Sequence, residues 1–214
     1  MSIYNNICEM GGGTPLLRLN GYCSELKLHS AILLKLEIFN PTGSVKFRAA
    51  KFIIERAEES GELQRGYDII EATSGNMGIA LAAVAAAKGY RAVIVMPEGT
   101  DERRVRILQG YNAQIVFTPK SDGMRGAVLK AEQLHKENPE SFAVNQFANR
   151  NNALAHHVTA REILDDCTPD IFVAGVGSGG TFTGVAEYLE RQLFFAGGCG
   201  RAKRVARFKQ GRKR

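Results

Sequence analysis

The sequence has no tryptophan and only four cysteines in 214 residues. Cys8, Cys23, Cys167 and Cys199 stand apart, with no C-x-x-C pair and no Cys/His spacing. That pattern argues against a metal site, a redox pair or a disulfide framework, and free thiols are expected. No apolar run is long enough to cross a bilayer. The opening "MSIYNNICEMGGG" has neither the basic patch nor the apolar segment of a secretory signal, so a cytoplasmic location is expected. Acid is missing from one end of the chain: after Glu190 come nine basic residues and no Asp or Glu. The formal charge of +6 is therefore a property of the tail, because without those nine of the 28 basic residues 19 face 22 acids, a net of −3. The tail's basic residues have Phe208 as their one interleaved aromatic near the end and match no recognition module, so no specific nucleic-acid partner and no membrane partner are expected.

What is present is a composition with 44% hydrophobic residues and 23 glycines, suited to a folded enzyme. Apolar strand patterns alternate with helical ones over short connections, which predicts an α/β fold with a mostly parallel, open twisted sheet flanked by helices. Strands are read at Ala31–Ile38 (buried), Asp68–Ala72, Arg91–Met96, Ala113–Thr118 and Asp170–Val176. Helices are read after Ser44, over "NMGIALAAVAAAKG", after a Thr100 cap, over about 123–136 and over about 152–164. Past Leu189 the periodicity dissolves, and no further sheet element is expected.

Three clusters carry polar chemistry. In "NPTGSVKFR" Ser44 is placed to cap a helix, which sets Lys46 in the first turn, where the helix dipole disfavours an ammonium. A lysine that becomes a neutral amine bonded to a carbonyl escapes that penalty; the plainer reading is an exposed lysine at a helix start. "EATSGNMG" places the Thr73 and Ser74 hydroxyls and the Asn76 amide at a strand-to-helix turn whose free amides suit a carboxylate. Its plainer reading is a capped turn. "AGVGSGGTFTG" sets Gly177, Ser178, Gly179, Gly180 and Thr181 at a second such turn, where close backbone approach and hydroxyls suit a phosphate. Gly175, Gly177 and Gly180 match the G-x-G-x-x-G spacing, but no strand pattern ending in an acid follows to hold a ribose, so a dinucleotide is set aside.

The order of these clusters, with "GGGTPLLRLN", "VIVMPEGTDERRVRILQGYNAQIVFTP", "NQF" and "FVAGVGSGGTFTGVAEYL", resembles the cysteine synthase (O-acetylserine sulfhydrylase) and cystathionine β-synthase family of fold type II pyridoxal 5'-phosphate enzymes. The resemblance covers Gly11 to about Leu189. It implies that Lys46 is catalytic and carries the cofactor as a Schiff base, and that Asn76 bonds its ring hydroxyl. It implies that Gly177, Ser178, Gly179, Gly180 and Thr181 hold its phosphate, and that Thr73, Ser74, Gly75, Met77 and Gln146 bind substrate. The implied reaction is β-replacement, giving L-cysteine from O-acetyl-L-serine and sulfide, with a homodimer and serine acetyltransferase as implied partners and no metal.

The same resemblance divides the chain into a small domain over 40–148, an incomplete large domain from 12–39 and 149–190, and a basic tail over 191–214 outside the fold. Family members continue for roughly another hundred residues, a domain-sized stretch, so a C-terminally truncated member is expected. Two residues depart from the family pattern. Phe47 stands where cysteine synthases usually have an acid, and leans toward the serine/threonine dehydratases of the same fold. Met77 stands where a threonine hydroxyl usually meets the substrate carboxylate; one such hydrogen bond is worth about 1.5 to 3 kcal/mol. The alternatives are therefore a dehydratase and an inactive fragment that binds a partner peptide.

Overall fold

In the computed structural model the described residues are 3–192 and, for the backbone alone, 193–196 and 204–209. The chain opens with a short ribbon, β1 (Leu16–Arg18) and β2 (Leu33–Lys35), antiparallel and joined across α1 (Asn20–Glu25). The buried strand expected over Ala31–Ile38 is corrected: only three residues pair, Leu34 is 47% exposed and Ile38 69% exposed. A two-stranded ribbon has few side chains to cover either face, so its leucines stay half in solvent.

The main unit runs α2 (Lys46–Ser60), β3 (Asp68–Ala72), α3 (Asn76–Lys88), β4 (Arg91–Pro97), α4 (Glu102–Gly110), β5 (Gln114–Thr118), α5 (Gly123–Glu137) and β6 (Ser141–Ala143). Its four strands form one parallel sheet in the order β5-β4-β3-β6. β3 is buried along its whole length, as a central parallel strand with helices on both faces must be. Ile69 and Ile94 pack with the inner faces of α2 and α3, while Ile70, Ala72, Val93 and Val95 pack with Ala127 of α5. α3 is buried nearly all round, and its alanines let it lie close to α2. Asp101, not Thr100, caps α4: the Asp101 carboxylate accepts from the Arg103 amide, whereas the Thr100 hydroxyl donates to the Pro97 carbonyl and closes the turn before it.

Then follow α6 (Asn151–Leu154), α7 (His156–Asp166), β7 (Ile171–Val176), α8 (Gly180–Ala196) and β8 (Arg204–Lys209). α7 and α8 pack through Ala160, Ile163, Val185 and Leu189. Two expectations about the end of the chain are corrected here. α8 continues past Leu189 to Ala196, and Arg204–Lys209 pairs in parallel with β7 although its sequence has no clear strand pattern. Sheet pairing is made by backbone groups, so an unpaired strand edge accepts an extended segment whatever its side-chain pattern.

Candidate active site

The sheet order fixes where a site can form. The chain steps outward from β3 to β4 and β5, then returns to the other side of β3 as β6. Between β3 and β6 the connections diverge, and ligands of open α/β sheets bind at the carboxyl ends of such a strand pair. The loop Thr73–Gly75 leaves β3 at that edge, and Asn145–Gln146 leaves β6 beside it.

Lys46 reaches the same place from α2. The Ser44 hydroxyl accepts from its amide at 3.2 Å, which is the capping contact expected from the sequence. Two residues on, Arg48 anchors the helix start. It is 6% exposed and binds both Glu37, at 2.6 Å from Nε, and Glu162, at 2.7 Å from Nη1 and Nη2. Burial alone would raise the Glu162 carboxyl, but bonds from Arg48, Lys35 and the Gly13 amide outweigh it and hold Glu162 at about 2.

The Lys46 ammonium lies 2.9 Å from Ser178 Oγ and 3.4 Å from Gln146 Oε1, joining residues 132 and 100 positions away. Burial pushes its pKa below the ordinary lysine value, with Glu71 pulling the other way. Ser178 Oγ also accepts from Asn152 Nδ2 at 2.9 Å. With both lone pairs taken by N–H donors, the Ser178 hydroxyl proton is left to donate to a ligand.

The glycine loop leads into α8 as expected. Gly179 has φ +87, a left-handed turn that a side chain would resist. Gly180 lies against Asn152, where an added Cβ would overlap the carboxamide oxygen. Thr181 Oγ1 sits 3.2 Å from His156 Nε2. His156 is buried, and desolvation, reinforced by the Arg48 charge, lowers it to about 4, so it is neutral near pH 7. A cavity of about 230 Å³ opens here, with Gln146, Asn152, Ser178, Gly179 and Gly180 in its wall. Lys46 stands behind that wall and touches it through Ser178 and Gln146.

The loop after β3 is less tightly joined to this cluster. Thr73 is buried, and its hydroxyl accepts from the Gly75 amide at 3.2 Å. The Ser74 carbonyl accepts from Arg104 at 2.6 Å, and Asn76 is exposed at the start of α3. Met77 is 2% exposed and its side chain belongs to the core, so what this position can offer a ligand is its backbone amide.

Glu71, Asn152 and His156 are the polar residues that motif reading passed over. Glu71 had a signal, an acid inside the otherwise apolar strand "DIIEA", since acids are almost never fully buried without a partner. It is 4% exposed, and desolvation raises it to about 7 against the hydrogen bonds from Gln146 and Asn145. Asn152 had none, being one of several asparagines in "ANRNNA".

A family model described as pyridoxal-phosphate dependent enzyme matches residues 7–204. Cysteine synthase from Flavobacterium sp. is 43% identical over 192 residues, 88% of this chain and 62% of that protein. A probable cysteine synthase from Bacillus subtilis is 44% identical over 200 residues, 91% of this chain and 63% of that protein. The crystal structure of cysteine synthase from Entamoeba histolytica superposes with TM-score 0.86 at 43% identity, over 89% of this chain and 58% of that one. That of the O-acetylserine dependent cystathionine β-synthase from Helicobacter pylori gives 0.84 at 36% identity, over 90% and 64%. The chain thus spans less than two thirds of each of these relatives. Nearly its whole length is matched, and the chain belongs to the pyridoxal-phosphate dependent enzymes, with the α/β architecture of the fold type II group that includes the cysteine synthases.

Proposed function

We propose that the chain binds pyridoxal 5'-phosphate at Lys46 and catalyses β-replacement on an amino acid, forming L-cysteine from O-acetyl-L-serine and sulfide. The observation that carries this reading is the contact of Lys46 Nζ with Ser178 Oγ, which brings a desolvated amine to a glycine-rich anion loop. Two features fit the cofactor: Ser178 has a hydroxyl proton to give to a phosphate oxygen, and nothing lies within 4 Å of where a Cβ would stand on Gly177, so the loop backbone is open to a ligand. The relatives named cysteine synthase support the substrate class.

When bound, the cofactor supplies the electron sink that lets an amino acid lose its α-proton and a β-leaving group. The chain's own residues do the rest. Lys46 Nζ would carry the cofactor and, once the incoming amino group has displaced it, would be free as a neutral amine to take the α-proton; its depressed pKa makes the neutral form accessible. The amides of Gly177 to Thr181 and the hydroxyls of Ser178 and Thr181 hold the phosphate at the positive end of α8. The loop Thr73–Met77, with Gln146, holds the substrate carboxylate, and Asn76 orients the ring. This loop belongs to the unit of residues 40–148 and the phosphate loop to the part built from 12–39 and 149–190, so movement between the two would shut out water.

The test is a visible absorption spectrum of the full chain mixed with pyridoxal phosphate, then with O-acetylserine and sulfide. The expected result is a visible band that Lys46→Ala abolishes, that changes on adding O-acetylserine, and that accompanies cysteine release. Absence of any band in the folded chain overturns the reading, and pyruvate from serine without cysteine from O-acetylserine would favour a dehydratase.

A further inference from the structure

Gln146 stands between two charged groups that do not touch each other directly in the hydrogen-bond network. Its Nε2 donates to Glu71 Oε1 at 3.0 Å, and its Oε1 accepts from Lys46 Nζ at 3.4 Å. A carboxamide has one acceptor end and one donor end, so whatever grips one end decides which way the other faces. The main chain fixes the arrangement further. The amides of Asn145 and Gln146 also serve Glu71, and Asn145 has φ +48, a left-handed conformation for a residue with a side chain. The Gln146 carbonyl accepts from Asn152 Nδ2 at 2.8 Å. The Gln146 NH2 and the two nearby amides favour the ionised carboxylate, which only accepts, against the burial that raises it.

We propose that Glu71 is a positioning residue for Lys46: its buried carboxylate grips the Gln146 NH2 group, so that the Gln146 oxygen, and not its NH2, faces the lysine ammonium. The inference rests on the reading of Lys46 as the cofactor-bearing lysine. Glu71 has no exposed route by which to act on a ligand itself, at 4% exposure on a central strand. Through Gln146 and through its charge it governs the acceptor and the field that Lys46 meets. The charged group acting on Lys46 is Glu71, from β3, while His156, on α7, stays neutral near pH 7. With Glu71 ionised, the lysine holds its proton more firmly; with Glu71 neutralised, the lysine gives it up more easily. A protonated Glu71 carries an O–H, which would bond the Gln146 oxygen and turn the NH2 toward the lysine.

The test is reductive methylation of the cofactor-free full chain with formaldehyde and a borane reductant across pH, read at the Lys46 peptide by mass spectrometry. In Glu71→Gln the Lys46 reactivity profile moves to lower pH by about one unit, and Glu71→Asp returns it toward wild type. An unchanged profile in a folded Glu71→Gln overturns the proposal. If Glu71→Gln does not fold, Gln146→Leu carries the test, because loss of the acceptor oxygen shifts the profile in the same direction; no shift there overturns the proposal equally. The readout needs no cofactor. A shifted profile without a cofactor band sinks the proposed function alone, and a band with an unshifted profile sinks the positioning role alone.

Discussion

The chain builds the same local motif twice and finishes it differently. β3 runs through Thr73–Gly75 into α3, and β7 runs through Gly177–Gly179 into α8, each a strand, a short polar turn and a helix N-terminus. β3 is buried at every position, between α2 and α3 on one face and α5 on the other. β7 alternates: Phe172 packs with the α7–α8 cluster, while Ile171 and Val173 are 61% and 56% exposed. The difference teaches that a strand, a polar turn and a helix start need only local sequence, whereas burial of the strand depends on a second layer of helices.

The tie between the two regions gives the largest expected effect. Arg48 on α2 holds Glu162 on α7 from a site that is 6% exposed, so Arg48→Ala should cost up to about 3 to 5 kcal/mol, since it removes the guanidinium from two partly buried carboxylates, Glu37 and Glu162. Denaturant unfolding measures this, and a loss below about 1 kcal/mol would mean that the regions are held together mainly by other contacts.

Next comes a matched pair of strand truncations. Ile94→Ala, at a site with 0% exposure, should cost about 2 to 5 kcal/mol by transfer loss and cavity formation. Val173→Ala, more than half exposed, should fall within about 0.5 kcal/mol. Equal effects would erase the contrast between the strands.

The helix starts sharpen the comparison in the opposite direction. A Cβ at Gly184 of α8 would overlap the backbone carbonyl oxygen of Ala153, which cannot rotate away. At Gly78 of α3 the nearest atom is Thr73 Cγ2 at 3.0 Å, a methyl that can give way. Gly184→Ala should therefore destabilise more than Gly78→Ala, by about 1 to 3 kcal/mol for the former, with thermal melts of the two variants as the check.

Acid should act on the two regions with opposite sign. Glu71, in the first, has its carboxyl raised from 4.5 to about 7 and so contributes stability that is present below the unfolded value and lost as pH rises through that window. Glu162, in the second, is lowered from 4.5 to about 2, and its contribution is present above 4.5 and lost as pH falls toward 2. The stability of Glu71→Gln relative to wild type should therefore improve between pH 4.5 and about 7, and that of Glu162→Gln should improve between pH 4.5 and about 2. The smallest effect is expected at the surface pair Arg106–Glu102, exposed by 78% and 86%, where Arg106→Ala should change stability by less than about 0.5 kcal/mol.

The central strands and helices were readable because their patterns are local and their periods differ, as in the run from "DIIEA" to "NMGIALAAVAAAK". The strand read over Ala31–Ile38 shrank to three residues because an apolar run does not say whether a second layer will cover it. β8 was missed for the converse reason, since pairing to β7 is a backbone event with no side-chain pattern behind it. At the site, Lys46 at a helix start and the two polar strand-to-helix turns were legible from residue type and order. Asn152 and the grip of Glu71 on Gln146 were not, because each depends on partners tens of residues away.

The sequence by itself determined the family, the α/β class, the lysine at a helix start and the two turns rich in glycine and hydroxyls. Those are properties of neighbouring residues, and short-range sterics and hydrogen bonding suffice to set them. Only the tertiary structure decided that Lys46 meets Ser178 and Gln146, that Glu71 is shut beneath them, and that Met77 turns into the core. Those outcomes follow from sheet order and from which faces are covered, and both are settled by burial across the whole chain.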